Sequence, residues 1–385
     1  MDLSLIIVVV IVTALAFDFT NGFHDTANAV ATSIATGALK PRTAVLLAGV
    51  LNLVGAFISV EVAKTISSGL VDDTKITPTV IFAGLVGAIV WNLLTWLVGL
   101  PSSSSHALIG GLIGATWVAS GAEAVKFAGL VGKVLLPAVL APIIAGVIAL
   151  IATYLAYRIT ARAVPATVTK GFKLGQIVSS SMVSLAHGTN DAQKTMGVIT
   201  LTLITAGALP ADAGPPFWVI LSSGLAIALG TYAGGWRIIQ TLGMRVSQIQ
   251  STQGFAAGTS TATVILTSSH LGFPLSTTQV ATGAVFGAGA ARGAGSVRWG
   301  VGGQVAFGWL LTLPAAAAFG AVAAWMAVTG PVGTIIVALV LVCVSGGIYA
   351  ASRRRPVTAA SLNHVPPAPS QPVHFGRRGN EDAAA

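Results

Sequence analysis

Charge is scarce in this chain. Lysine and arginine number 20 and aspartate and glutamate 11, together 8% of the 385 residues, where a soluble domain carries about a quarter. So few charges cannot cover a water-exposed surface of this size. Cysteine occurs once, at Cys343, which excludes an internal disulfide and a cysteine metal site. Short alternating strands are missing, which argues against a transmembrane barrel. No His-Glu-x-x-His or equivalent ligand spacing is present, so no structural or catalytic metal is expected. No nucleophile–base constellation stands out either, so an enzyme is not expected and no cofactor is called for. The N-terminus has no basic region and no small-x-small cleavage site, so residues 3–17 read as a retained helix, not a leader.

What fills the chain is apolar. Hydrophobic residues make up 54%, and there are 45 glycines. Runs of roughly 20 apolar residues, the length that crosses a bilayer as a helix, recur throughout. The spans drawn are 3–38, 43–61, 79–100, 104–120, 127–157, 176–207, 216–235, 252–269, 274–291, 299–328 and 332–350. The expected class is an all-α polytopic membrane protein in a lipid bilayer. The net charge of +9 would suit nucleic acid, but basic residues of membrane proteins collect in cytoplasmic loops. No nucleic-acid partner is expected.

Two stretches organise the whole. Asn21-Gly22-Phe23-His24-Asp25-Thr26-Ala27-Asn28 and His187-Gly188-Thr189-Asn190-Asp191-Ala192-Gln193-Lys194 each place an aspartate inside an apolar run. A carboxylate at membrane depth is costly and marks function by default. A second pair of matching segments follows the same order. Pro101-Ser102-Ser103-Ser104-Ser105-His106 and Pro274-Leu275-Ser276-Thr277-Thr278-Gln279 each open a glycine-rich apolar run. The aspartates are 166 residues apart and the tips 173 apart, so the chain reads as a duplication. The expected architecture is two repeats of inverted topology, each with one helix broken at its aspartate (near 21–25 and near 187–191) and one helical hairpin. The division is 1–160 for the first repeat, 161–175 for a basic linker, 176–350 for the second repeat with a final helix, and 351–385 for a tail. The tail contains VPPAPSQPVHFGRRG, too proline-rich and polar to build a core.

Loop charge fixes an expected orientation. With the N-terminus outside, 13 loop Lys/Arg fall inside, among them Lys40, Arg158, Lys173, Arg237 and Arg298, against four outside: Lys64, Lys75, Lys126 and Lys133. That bias places the C-terminus in the cytoplasm. The two halves then run in opposite senses, and the two tips enter from opposite faces.

The tips suit an anion. Hydroxyls donate, and the first N–H groups of a helix lack intrahelical partners and carry the positive end of its dipole. The aspartates repel an anion, so their role is to hold a cation or proton. Asp25 with Asn28, and Asn190 with Asp191, offer oxygen ligands. Lys194 stands where the first copy has Asn28. Its ammonium either fills a bound cation's place or makes a structural ion pair. Histidine as a residue type suits proton relay, and His24 stands next to Asp25 in the chain.

GFHDTANAVATSIATGAL, PSSSSHALIG, HGTNDAQKTMG and PLSTTQVATGAVFG together resemble the inorganic phosphate transporter (PiT) family. The resemblance covers residues 1 to about 350. It implies a secondary transporter in the cell membrane, importing inorganic phosphate with sodium ions or protons, as a homodimer. It implies phosphate contacts at Ser103, Ser104, Ser105, Ser276, Thr277 and Thr278, and coupling residues at Asp25, Asn28, Asn190 and Asp191. His24 in the first motif and Gln193-Lys194 in the second depart from the sodium-coupled pattern. They resemble the bacterial low-affinity branch considered proton-driven, which carries phosphate alone or as a complex with a divalent metal. A sodium-coupled phosphate symporter and a sulfate permease on the same scaffold are the alternatives.

Overall fold

The computed structural model describes residues 3–245 and 249–362. Helices account for nearly all of them. In order they are α1 (Leu3–Ala35), α2 (Pro41–Gly55), α3 (Glu61–Ser68), α4 (Pro78–Val98), α5 (Ser104–Ser120), the short α6 (Phe127–Leu130) leading through a π-helical turn into α7 (Leu136–Thr160), α8 (Pro165–Thr205), α9 (Phe217–Ala233), α10 (Trp236–Gln240), α11 (Ser251–His270), α12 (Thr277–Ala290), α13 (Trp299–Ala327), α14 (Pro331–Arg353) and α15 (Ala359–Leu362). Leu3–Ala35, Pro78–Val98, Phe127–Thr160, Trp299–Ala327 and Pro331–Arg353 are each long and apolar enough to cross a membrane. Their outer faces, for example Val139, Ile143 and Val147 on α7 and Leu339 and Val342 on α14, are exposed. Without water to solvate, such faces belong against lipid.

Two interruptions expected from the sequence are absent. α1 runs unbroken through 21–25, and α8 through 187–191. Neither stretch contains proline, and their glycines serve close packing instead. A Cβ on Gly22 would stand 2.4 Å from the Ile227 carbonyl, and one on Gly188 2.1 Å from that of Asn52. The breaks lie in the neighbouring helices. α2 stops at Gly55 and α3 restarts at Glu61. α9 and the segment after it bend by 58° at Gly234–Gly235.

The matched segments make matched contacts. Gly55 of α2 lies on the Leu185 carbonyl of α8, and Gly230 of α9 lies on the Phe19 carbonyl of α1. Gly110 and Gly114 of α5 lie on the Leu313 and Ala317 carbonyls of α13. Their counterparts Gly283 and Gly287 of α12 lie on the Pro142 and Gly146 carbonyls of α7. Each hairpin is therefore clasped by a long helix from the other half, and small residues let the backbones approach.

The hairpins turn at Gly99 and Gly272, whose φ values of 69° and 73° favour glycine. The first corner packs on α10 and the turn after it, where the Thr241 hydroxyl donates to the Gly99 carbonyl at 2.8 Å. The second packs on α3, against Thr65 and the Glu61 carbonyl. Residues 165–175 of the expected linker form the first turns of α8. Within the expected tail, α14 continues to Arg353 and Leu362 of α15 is buried. Residues 363–385 lie outside the described residues.

Two apolar cores result, with a polar belt between them. α1 gives Ile6, Val10, Ala14 and Phe17 to one core and Ala27, Val30 and Ile34 to the other. α8 gives Ala192, Met196 and Ile199 to the first and Val183 and Ala186 to the second. Both aspartates sit where their helix passes from one core to the other.

Candidate functional site

The two tips meet in that belt. Ser103 and Ser276 are the N-caps of α5 and α12, accepting from the backbone N–H of His106 and Gln279 respectively. Capping satisfies one orphan donor of each helix, so these two hydroxyls serve their own helices. The next two positions face the centre. Ser104 donates to Asp25 Oδ2 at 2.7 Å. Thr278 donates to Asp25 Oδ1 at 3.2 Å, and Thr277 lies 3.3 Å from both Asp25 Oδ2 and Asp191 Oδ2. Ser105 donates to the Leu275 carbonyl at 3.0 Å, tying one tip to the other. All six are buried.

The two aspartates have different surroundings. Asp25 Oδ1 lies 2.7 Å from His24 Nδ1. The other ring nitrogen, Nε2, lies 3.2 Å from the Thr95 hydroxyl and 3.3 Å from that of Ser102. Asn28 donates to Thr278 Oγ1 at 3.0 Å and Thr277 Oγ1 at 3.4 Å, holding the second tip. Asp191 is paired with the Lys194 ammonium, which also donates to Ser105 Oγ and to the Leu275 carbonyl. His187 Nε2 approaches Asp191 Oδ2 to 3.1 Å.

Asn190 does not join this group. Its amide donates to Ser269 Oγ and the Phe273 carbonyl, fastening α8 to the second hairpin. The amide that reaches Asp191 is that of Asn21, at 3.5 Å. Gln193 Oε1 accepts from the backbone N–H of Val62 and Ala63, capping α3.

One ligand atom each from Asp25, His187 and Asp191 lie within 4.8 Å of one another, close enough for a single cation. The Lys194 ammonium already provides positive charge at Asp191. The centre thus combines two carboxylates, one fixed cation and convergent hydroxyls at two helix N-termini. It can bind an oxyanion once further positive charge, as protons or cations, offsets the carboxylate that has no ammonium partner.

Asn21, Thr95, Ser102 and His187 were not singled out as site residues by sequence reasoning. Asn21 and His187 occupy equivalent places, four residues before each aspartate, and that repetition was a usable signal. Ser102 stands inside the repeated tip but opposite Leu275, so it has no matched hydroxyl, and Thr95 gives no signal.

A family model described as the phosphate transporter family matches residues 21–320. The chain is 53% identical over 367 residues to a probable low-affinity inorganic phosphate transporter of Mycobacterium tuberculosis (strain ATCC 25618 / H37Rv), covering 94% of this chain and 88% of the relative. A protein of the same description from Bacillus subtilis (strain 168) is 43% identical over 326 residues, covering 84% and 98%. Among solved structures, the sodium-dependent phosphate transporter superposes with a TM-score of 0.76 at 27% identity, covering 83% of this chain and 98% of that one. The chain therefore belongs to the phosphate transporter family, a multi-pass membrane transporter and not an enzyme.

Proposed function

We propose that the protein imports inorganic phosphate by symport with protons. The observation that carries this reading is the Lys194–Asp191 pair. An ammonium held by that carboxylate occupies the position a coupling metal ion would need at the second repeat. Asp25 has no lysine, and the chain Asp25–His24–Ser102/Thr95 runs from it towards the first hairpin. That chain of hydrogen-bonding groups is the route assigned to the proton. The phosphate would be received by Ser104, Ser105, Thr277 and Thr278, whose present partners are the carboxylates, the lysine and a carbonyl, with Ser103 and Ser276 setting the helix ends.

Sodium symport is the second reading, because the solved structure resembling this chain is named for sodium dependence. Uptake of labelled phosphate into sealed vesicles, with an inward pH gradient and no sodium, separates the two. Accumulation is expected. Uptake that appears only on adding sodium refutes the proton reading. In the same vesicles S104A and T277A should each raise the KM for phosphate by about ten- to a hundredfold, since a lost hydrogen bond to a charged group is worth about 1.5–3 kcal/mol. Unchanged kinetics in both would remove the tips from the binding site.

The orientation belongs to the same reading. The basic ends support an outside N-terminus and a cytoplasmic C-terminus. In a Cys343→Ser background, Asp73→Cys should react with an impermeant maleimide added outside intact cells, and Ala166→Cys should not. The reverse pattern would invert the orientation.

A further inference from the structure

A crevice of about 1080 Å³ lies between α1, α4, α10 and α14, away from the polar belt. Its wall is apolar: Phe19 and Phe23 come from α1, Leu93 and Trp96 from α4, and Leu341 and Val342 from α14. Phe19 and Val342 are also exposed on the outer surface, so the crevice opens sideways onto lipid. Clefts that hold small molecules measure about 300–1,000 Å³. This one is larger, and its wall is too apolar for a free anion.

One end of the crevice is basic. Arg237 and Arg353 line it, with Trp236 and Tyr349 beside them, and Arg354 and Arg355 follow in the chain. Arg237 Nη1 donates to the Leu97 carbonyl at 3.3 Å, and Nη2 to the carbonyls of Ser352 at 2.9 Å and Arg355 at 2.6 Å. Its guanidinium lies 5.8 Å from the Trp96 ring centre. These partners hold the guanidinium in place but bring no negative charge. Among the described residues no carboxylate pairs with Arg237 or Arg353. α4, α10 and α14 contain no acidic residue, and the sequence has none between Asp212 and Glu381. Tryptophan and tyrosine collect where membrane meets water. The crevice thus has an apolar body at bilayer depth and a cationic mouth at the boundary.

We infer that this crevice is a binding site for one anionic phospholipid, its acyl chains along α1, α4 and α14 and its phosphate at Arg237 and Arg353. Basic pockets between membrane helices take anionic lipid head groups in this way. A second copy of the chain fits the crevice badly. A twofold interface brings the same patch from both subunits, so arginine would meet arginine. A lipid supplies the missing negative charge and fills the apolar space together. It would also brace the bend at Gly234–Gly235, since Gly234, Trp236 and Arg237 all line the crevice. The inference does not depend on which ion drives transport.

The test titrates the full-length, delipidated protein in detergent with phosphatidylglycerol or phosphatidylcholine of matched chains, counting bound lipid by native mass spectrometry. One phosphatidylglycerol per chain should bind about thirtyfold more tightly than phosphatidylcholine, the preference expected from two arginines near a membrane surface. R353Q should weaken phosphatidylglycerol about fivefold and leave phosphatidylcholine unchanged. Gly346 lines the crevice, and a Cβ there meets nothing within 4 Å. G346F should therefore fill the space with every arginine retained, and the tight site should be lost. Phosphatidylglycerol bound no better than phosphatidylcholine by the wild type, or bound as tightly by G346F as by the wild type, overturns the inference. Should G346F not fold, R353Q decides, because its side chain is exposed: unchanged affinity for phosphatidylglycerol overturns it too. A G346F that splits a dimer while keeping its lipid gives the crevice to a second copy instead.

Discussion

K194A should stop phosphate uptake in sodium-free medium, and added sodium should bring part of it back. The lysine is fully buried, and its ammonium meets three oxygens: Asp191 Oδ1, Ser105 Oγ and the Leu275 carbonyl at 2.9 Å. Truncation removes the cation and leaves all three in place. Removing one partner of a buried ion pair costs about 3–5 kcal/mol, because the other charge is left uncompensated. That corresponds to roughly two to four decades in the population of the working state. Part of the loss comes from the tips, since the lysine joins Ser105 of the first to Leu275 of the second. The vacated space is lined by oxygens, and oxygens are the ligands hard cations take. A sodium ion there would restore the missing charge. Vesicle uptake of K194A against sodium concentration is the measurement. Full sodium-independent uptake in K194A would reduce the lysine to a packing role.

How this pair was legible in the sequence, and what was not, has physical causes. Asp191 and Lys194 stand three apart inside an apolar run, one helical turn, so their pairing could be anticipated from spacing alone. The tips were legible because Pro101–His106 and Pro274–Gln279 repeat a rare pattern at a fixed offset. The course of α1 and α8 was misread. Asn21, Gly22 and Asp25 look like a helix break, since glycine and short polar residues favour turns. Here Gly22 lets α9 approach, with a Cβ only 2.4 Å from the Ile227 carbonyl. Side-chain polarity inside a buried helix can be matched by partners across the interface, and the helix need not open. The real break after Gly55 falls inside a run whose hydropathy continues to residue 61, so composition concealed it. Asp18, fully buried on α1, has no acidic match in the second half. Its counterpart 166 residues on is Ser184, and the general cost of a buried carboxylate was the only available signal.

D25N should abolish proton-driven accumulation of phosphate while exchange of internal for external phosphate partly survives. Asp25 is the carboxylate reached by both tips: Ser104 from the first, Thr277 and Thr278 from the second. An asparagine has nearly the same shape and can still accept one of these hydrogen bonds, so the hairpins should still come together around the anion. It cannot bind and release a proton, and it gives His24 Nδ1 no charged partner at 2.7 Å. An uncompensated anion entering a negative interior opposes about 2.3 kcal/mol per charge for each 100 mV. Loss of proton carriage therefore removes the driving force for net import. Exchange moves one phosphate in for one out and needs no net charge transfer, so only the altered hydrogen bonding slows it. Counterflow in preloaded vesicles, run beside uptake under an imposed pH gradient, separates the two activities. If D25N accumulates phosphate against the gradient as the wild type does, Asp25 carries no coupling proton, and the His24 relay loses its purpose. If both activities vanish in a folded, monodisperse D25N, the carboxylate is needed for phosphate binding itself and the coupling assignment fails. Survival of exchange alone assigns the proton to Asp25.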